Sequence, residues 1–137
     1  MPIPVRVVSV ERSLFEGEAD FIRARSTGGE LGILPRHAPL LAVLAPGELR
    51  IDRSGGGSEH LFVGGGFMEV LPDRVTILAD VAEHADDINV ERAEESRRHA
   101  QERLQGTVEE GERRSLEQEL LMAEERLRLA RVRRGGG

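Results

Sequence analysis

The sequence predicts an α+β chain, an N-terminal antiparallel β-sandwich followed by a two-helix antiparallel hairpin. Three observations carry that prediction. Short β-rich runs recur at about ten-residue spacing through residues 1–85, separated by Gly, Pro, Asp and Ser clusters. From residue 86 the composition turns to Glu, Arg, Ala and Gln, and residues 90–105 hold neither Gly nor Pro. A later stripe, Leu116, Leu120, Ala123, Leu127 and Ala130, repeats at the alternating spacing of a helix facing another helix.

The strand runs are legible in order. IPVRVVSV (3–10) alternates, placing Ile3, Val5 and Val7 on one face. FIRARS (21–26), ELRIDR (48–53), HLFV (60–63), FMEVL (67–71) and VTILAD (75–80) follow. Pro72-Asp73 predicts a tight hairpin turn between the last two, because Pro pre-sets the first turn dihedral. GGGF (64–67) precedes a β run, not a helix N-terminus, so it reads as a bulge or close backbone approach and not as a phosphate cradle.

The two units are residues 1–85 and 86–137. Asp87 or Asn89 is placed to cap a first helix of about 16 residues, ~24 Å long. Gly106 and Gly111 bracket a break, and a second helix of about 20 residues, ~30 Å, follows. The closing RRGGG reads as frayed. The first helix offers mostly alanine to its neighbour, so apolar burial holds the hairpin weakly. Charge is polarised along it: residues 86–125 carry a large acidic excess, whereas 126–137 carry Arg126, Arg128, Arg131, Arg133 and Arg134 and no acid. Cations complement the dipole at a helix C-terminus, and a basic tip also suits an acidic partner surface.

Composition narrows the function classes. There is no cysteine, hence no disulfide framework or thiolate metal site. A net charge of -6 argues against nucleic-acid binding, and 3% aromatics against a stacking platform. No apolar run approaches the ~20 residues that span a bilayer, and no signal-peptide pattern opens the chain, so a soluble cytoplasmic protein is expected. His37, His60, His84 and His99 are scattered without metal-ligand spacing. No nucleophile elbow, Walker loop or zinc-protease motif occurs, and the carboxylate pairs Asp86-Asp87 and Glu94-Glu95 lie on solvated helix ends or faces. These residues describe an interaction protein and not an enzyme.

One segment resists simple reading. GGELGILPRHAPLL (28–41) sets five Leu or Ile residues among Gly32, Pro35 and Pro39, so apolar side chains sit where prolines forbid a regular strand. That segment, with VGGGFMEVLPDRVTILADVAEHADDI and the helical hairpin, resembles the epsilon subunit of the bacterial F-type ATP synthase across about residues 3–131.

The resemblance implies a ten-stranded sandwich on the central stalk of a rotary motor. It implies binding to the gamma subunit and the c-ring, and helices that fold down or extend toward the catalytic alpha and beta subunits to oppose ATP hydrolysis. The chain would then be a noncatalytic, peripheral subunit at the cytoplasmic face of the inner membrane. The loop would face the rotor through Glu30, Leu31, Ile33, His37 and Pro39, and the basic tip would meet an acidic loop of beta. No cofactor is required. Some members bind ATP between the helices, and the corresponding residues here are Glu83, Asn89, Arg92, Ala93 and Arg126. Asn89 replaces the usual Asp, and His99 and Met122 replace phosphate-holding arginines, so any ATP binding is expected to be weak.

Overall fold

The computed structural model describes residues 1–136, with side chains as far as Arg133. It comprises a β unit, Met1–His84, and a helical unit that begins at Ala85.

Nine strands make the β unit among the described residues: β1 Ile3–Ser9, β2 Ser13–Ser26, β3 Gly29–Ile33, β4 Leu40–Leu44, β5 Gly47–Arg53, β6 Ser58–Val63, β7 Gly66–Leu71, β8 Arg74–Ala79 and β9 Ala82–His84. They form one continuous sheet folded into two layers. One layer runs β4-β7-β8-β1, and the other runs β2-β5-β6-β9 with β3 on the free side of β2. The N-terminal part of β2 pairs with β1, and its C-terminal part pairs with β3 and β5. A register shift between Ala19 and Phe21 lets the strand pass from one layer to the other.

Nine strands replace the ten that the resemblance implied, because residues 13–26 run through this bulge as a single strand. The pairing is also not wholly antiparallel, since β1 and β8 run parallel with Val5 opposite Val75. The first half of β2 escaped sequence reading because Glu16, Glu18 and Asp20 point outward and dilute the apolar signal.

The core follows the strand period of two. Ile3, Val5 and Val7 face inward as expected and meet Ile22, Leu49, Ile51, Leu61, Met68, Val70, Val75 and Ile77. Each such side chain contributes ~1.5–3 kcal/mol by leaving water. The Pro72-Asp73 turn joins β7 to β8, with Leu71 opposite Arg74. The GGG run is a close approach. Gly66 has φ 126°, and a Cβ there would strike the Leu78 carbonyl and lie 2.9 Å from the Ala79 Cα.

In the helical unit a short 3-10 turn, Ala85–Asp87, precedes α1, Val90–Leu104, and α2, Glu110–Gly136. The second helix is longer than expected, 27 residues. Gly111 lies within its first turn and does not break it, and Arg134, Gly135 and Gly136 continue the helix backbone where fraying was expected. Ala93 and Ala100 are the buried residues of α1, and Leu116, Ala123, Leu127, Leu129 and Ala130 are buried on α2.

Replacing Gly66 by Ala forces both a clash with backbone and a disfavoured dihedral. The expected loss is about 3 kcal/mol or more, read as a lower urea midpoint for the β unit's transition.

Candidate functional site

The structure resolves the puzzle of residues 28–41. β3 belongs to one layer and β4 to the other, so 34–39 is a crossover between layers where no ladder donor is needed. Ile33 is buried in the core and Leu31 and Leu40 pack against it, while Leu34 and Leu41 are exposed. Among the expected rotor-facing residues, Ile33 therefore fills the sandwich and offers no surface. The others do not gather in one place. Glu30 is exposed beside the turn at Thr27 and Gly28, near the Leu44 end of β4. His37 and Pro39 lie at the opposite end, where Leu40 pairs with Val70 beside the Pro72-Asp73 turn. His37 is half-buried and its Nδ1–H donates to the Ala38 carbonyl at 2.7 Å.

A surface that the sequence reading missed lies across the outer face of β4, β7, β8 and β1. Val43 stands opposite Phe67, Phe67 opposite Leu78, and Leu78 opposite Val8. Val43, Phe67 and Leu78 are 48%, 49% and 52% exposed, a continuous apolar row. The next row, Leu41, Glu69, Thr76 and Arg6, alternates in chemistry. The signal was present in FMEVL and VTILAD, where apolar residues occupy both parities of the strand, as happens when both faces are to be covered.

On the outer side of β5 and β6, Phe62 is buried opposite Glu48, and the remaining side chains are polar and paired. Arg50 Nε and Ser58 Oγ both donate to Asp52 Oδ1 at 2.8 Å. These two hydrogen bonds, the Arg50 contact first, hold the Asp52 carboxyl below its ordinary value of 3.8. His60 Nδ1 lies 2.6 Å from Glu48 Oε2.

The candidate nucleotide residues are divided between the units. Glu83 belongs to β9, and Asn89, Arg92, Ala93 and Arg126 to the helical unit. Asn89, not Asp87, is the cap: its Oδ1 accepts from the Arg92 backbone N–H at 3.0 Å, satisfying a free donor of the first turn. Arg92 is exposed, Ala93 buried and Arg126 half-buried. Between the helices, Ser96 Oγ donates to Glu119 Oε2 at 2.8 Å, and His99 Nδ1 lies 3.3 Å from the same oxygen. Arg103 Nη2 donates to Glu112 Oε1 at 2.6 Å. The position of His99 therefore presents a carboxylate and not a pair of cations, which fits a polyphosphate poorly.

Of the basic tip, Arg128 pairs with the buried Glu125 at 2.7 Å and Arg133 approaches Asp86 at 3.9 Å. Arg131 is exposed, and Arg134 lies outside the residues whose side chains are described. Among the described residues no cluster of His, Asp and Glu is arranged to hold a metal.

Residues 2–85 match the family described as "ATP synthase, Delta/Epsilon chain, beta-sandwich domain". The chain is 49% identical over 134 residues to the ATP synthase epsilon chain of Acidithiobacillus ferridurans, covering 98% of this chain and 93% of that relative. This chain belongs to the ATP synthase epsilon family. A second epsilon chain, from Herpetosiphon aurantiacus, is 45% identical over 134 residues and covered to 98% on both sides. Among solved structures, the epsilon fold here superposes with TM-score 0.80 at 26% identity on a chain of the Euglena gracilis mitochondrial ATP synthase, "OSCP/F1/c-ring in rotational state 1", over 90% of this chain and 78% of that one. A chain of the Tetrahymena thermophila mitochondrial ATP synthase central stalk and c-ring shares the fold, with TM-score 0.69 at 14% identity over 95% and 97%.

Two expectations follow from this geometry. Asn89→Ala should cost about 1 kcal/mol of helical-unit stability, and Asn89→Asp should retain it, as read by the thermal loss of helical circular dichroism. Because the folded-state value of Asp52 is depressed, its contribution is complete above 3.8 and is lost as pH falls through the lower folded value. Asp52→Asn should therefore flatten the acid limb of the stability–pH profile and leave its slope at neutral pH unchanged.

Proposed function

We propose that this chain is the noncatalytic epsilon subunit of a rotary ATP synthase, seated on the central stalk, where its sandwich joins gamma to the c-ring and its helices oppose ATP hydrolysis. The observation that carries the reading is the row of exposed Val43, Phe67 and Leu78, continued by half-buried Val8. Apolar side chains in register across four strands mark a face that another surface covers. In this reading gamma takes that face, and the c-ring takes the end that bears Glu30. The E. gracilis and T. thermophila neighbours, both drawn from ATP synthase assemblies that include a c-ring, support it.

The helical unit supplies the regulation. Its seam is small and its closure relies on the Glu119 and Glu112 contacts, so the two helices part at modest cost. Parting would carry Arg126, Arg128, Arg131, Arg133 and Arg134 toward an acidic surface of the catalytic alpha and beta subunits. ATP is at most a weak regulatory ligand in this reading, since Asn89 is committed to its cap and Glu119 faces His99. The subunit would be peripheral, at the cytoplasmic face of the bacterial inner membrane. Among the described residues no helix is long and apolar enough to cross a membrane.

The test is ATP hydrolysis by an alpha–beta–gamma assembly, with binding to gamma measured in parallel. The full chain should bind and inhibit, and a chain ending at Asp87 should bind without inhibiting. Phe67→Glu should weaken binding to gamma tenfold or more with an unchanged unfolding midpoint. Failure of the wild-type chain to bind gamma would refute the docking reading. Equal inhibition by the shortened chain would refute the regulatory one.

A further inference from the structure

Arg36 is the one non-glycine residue among those described with a positive φ, 65°. That left-handed backbone is unfavourable for an L residue, and glycine adopts it freely. The side chain returns nothing inside the molecule. It is exposed and forms no hydrogen bond or ion pair among the described residues. Four arginines of the same unit are engaged, Arg6 with Glu16, Arg23 with Glu48, Arg50 with Asp52 and Arg53 with Glu59, while Arg12 and Arg74, which share the lack of an ion pair among the described residues, sit on ordinary backbone.

The surroundings give this cation a fixed address. Pro35 precedes it and Pro39 follows it, so the turn is stiff before any partner arrives. Exposed Leu34 lies two residues away. Arg36 lines a concavity of about 330 Å³ with Pro4, Glu18, Pro35, Pro72 and Asp73. Neither Glu18 nor Asp73 comes within 4.0 Å of the guanidinium. Pro4 and Glu18 also line the larger hollow along Arg6, Glu16 and Arg74, on the outer face of β1 and β8. The concavity is thus continuous with the face that bears Val43, Phe67 and Leu78.

We propose that Arg36 anchors the far end of that docking face by receiving a carboxylate of the gamma subunit in its guanidinium fork. The inference rests on the docking reading given above. A planar fork matched to a carboxylate gives two charge-assisted hydrogen bonds, and the stiff turn has little freedom left to lose. A bilayer is the poorer occupant, because it would press many phosphates against Glu18 and Asp73, whereas a single carboxylate can seat on the guanidinium, from which both acids stand more than 4.0 Å away.

The experiment sets stability against binding in the full chain, using purified alpha–beta–gamma assembly as the probe. Arg36→Gly relieves the backbone and removes the cation. The expected result is a raised unfolding midpoint together with binding weakened about tenfold at low salt and a shallower salt dependence. Arg36→Asn, which tolerates the same backbone without charge, should bind like Arg36→Gly. Unchanged affinity and salt slope in Arg36→Gly, alongside a loss in Phe67→Glu, would overturn this inference and leave the docking reading standing. No binding by the wild-type chain would remove both. Arg36-dependent binding of the chain alone to vesicles rich in anionic phospholipid would also overturn it, by assigning the cation to a membrane.

Discussion

The β unit depends on one strand serving two layers. β2 pairs with β1 over its first part and with β3 and β5 over its second. If it ended at Asp20, the two layers would share no backbone pairing on that side and the core would open along an edge. The bend is feasible because the bulge falls beside Ala19, which is fully buried and small enough for the layers to close around it. Ser26, at the far end of β2, stands opposite Leu44, and the flanking bonds from Thr27 N–H to the Val43 carbonyl and from Ala45 N–H to the Arg25 carbonyl close the opposite seam. Core, turns and outer face all inherit their positions from this strand.

Much of this fold was legible in the residues, and the exceptions share a cause. Alternation in IPVRVVSV, the Pro72-Asp73 turn and the Gly64–Gly66 run each follow from backbone rules that act within a few residues. The first half of β2, the strands β3 and β4 and the three-residue β9 were missed because long-range pairing, not local propensity, holds them extended. α2 outran its expected length because Gly111 is tolerated in a first turn, where its conformational cost is shared with many good helix formers. The site was less legible than the fold. A row such as Val43, Phe67 and Leu78 exists only once three registers are known. Glu30 and His37 are seven positions apart in sequence and yet end at opposite ends of the sandwich, because β3 spans its height.

The two units rest on different physics. Large aliphatic side chains, packed from both layers, hold the sandwich. The buried residues of α1 are alanines, smaller than the side chains of the sandwich core, and polar contacts at Ser96, His99 and Arg103 also span the two helices. Polar contacts on exposed helices are weak individually and sensitive to ionic conditions. Under the proposed function, that difference between the units would suit a subunit that remains docked while part of it rearranges.

The parallel pairing of β1 with β8 bears on how the molecule is made. Val5 finds Val75 only after nearly the whole β unit has left the ribosome. β1 can pair early with the neighbouring β2, but its other edge waits for β8, since closing so long a loop is entropically costly before the core repays it. Local hairpins such as β7–β8 and β5–β6 can form earlier and wait for it. During that interval β8 presents an unpaired edge of alternating Val75, Ile77 and Ala79, the nascent chain's point of greatest exposure to wrong partners. The helical unit follows the sandwich in the chain and so emerges only after that edge has been made.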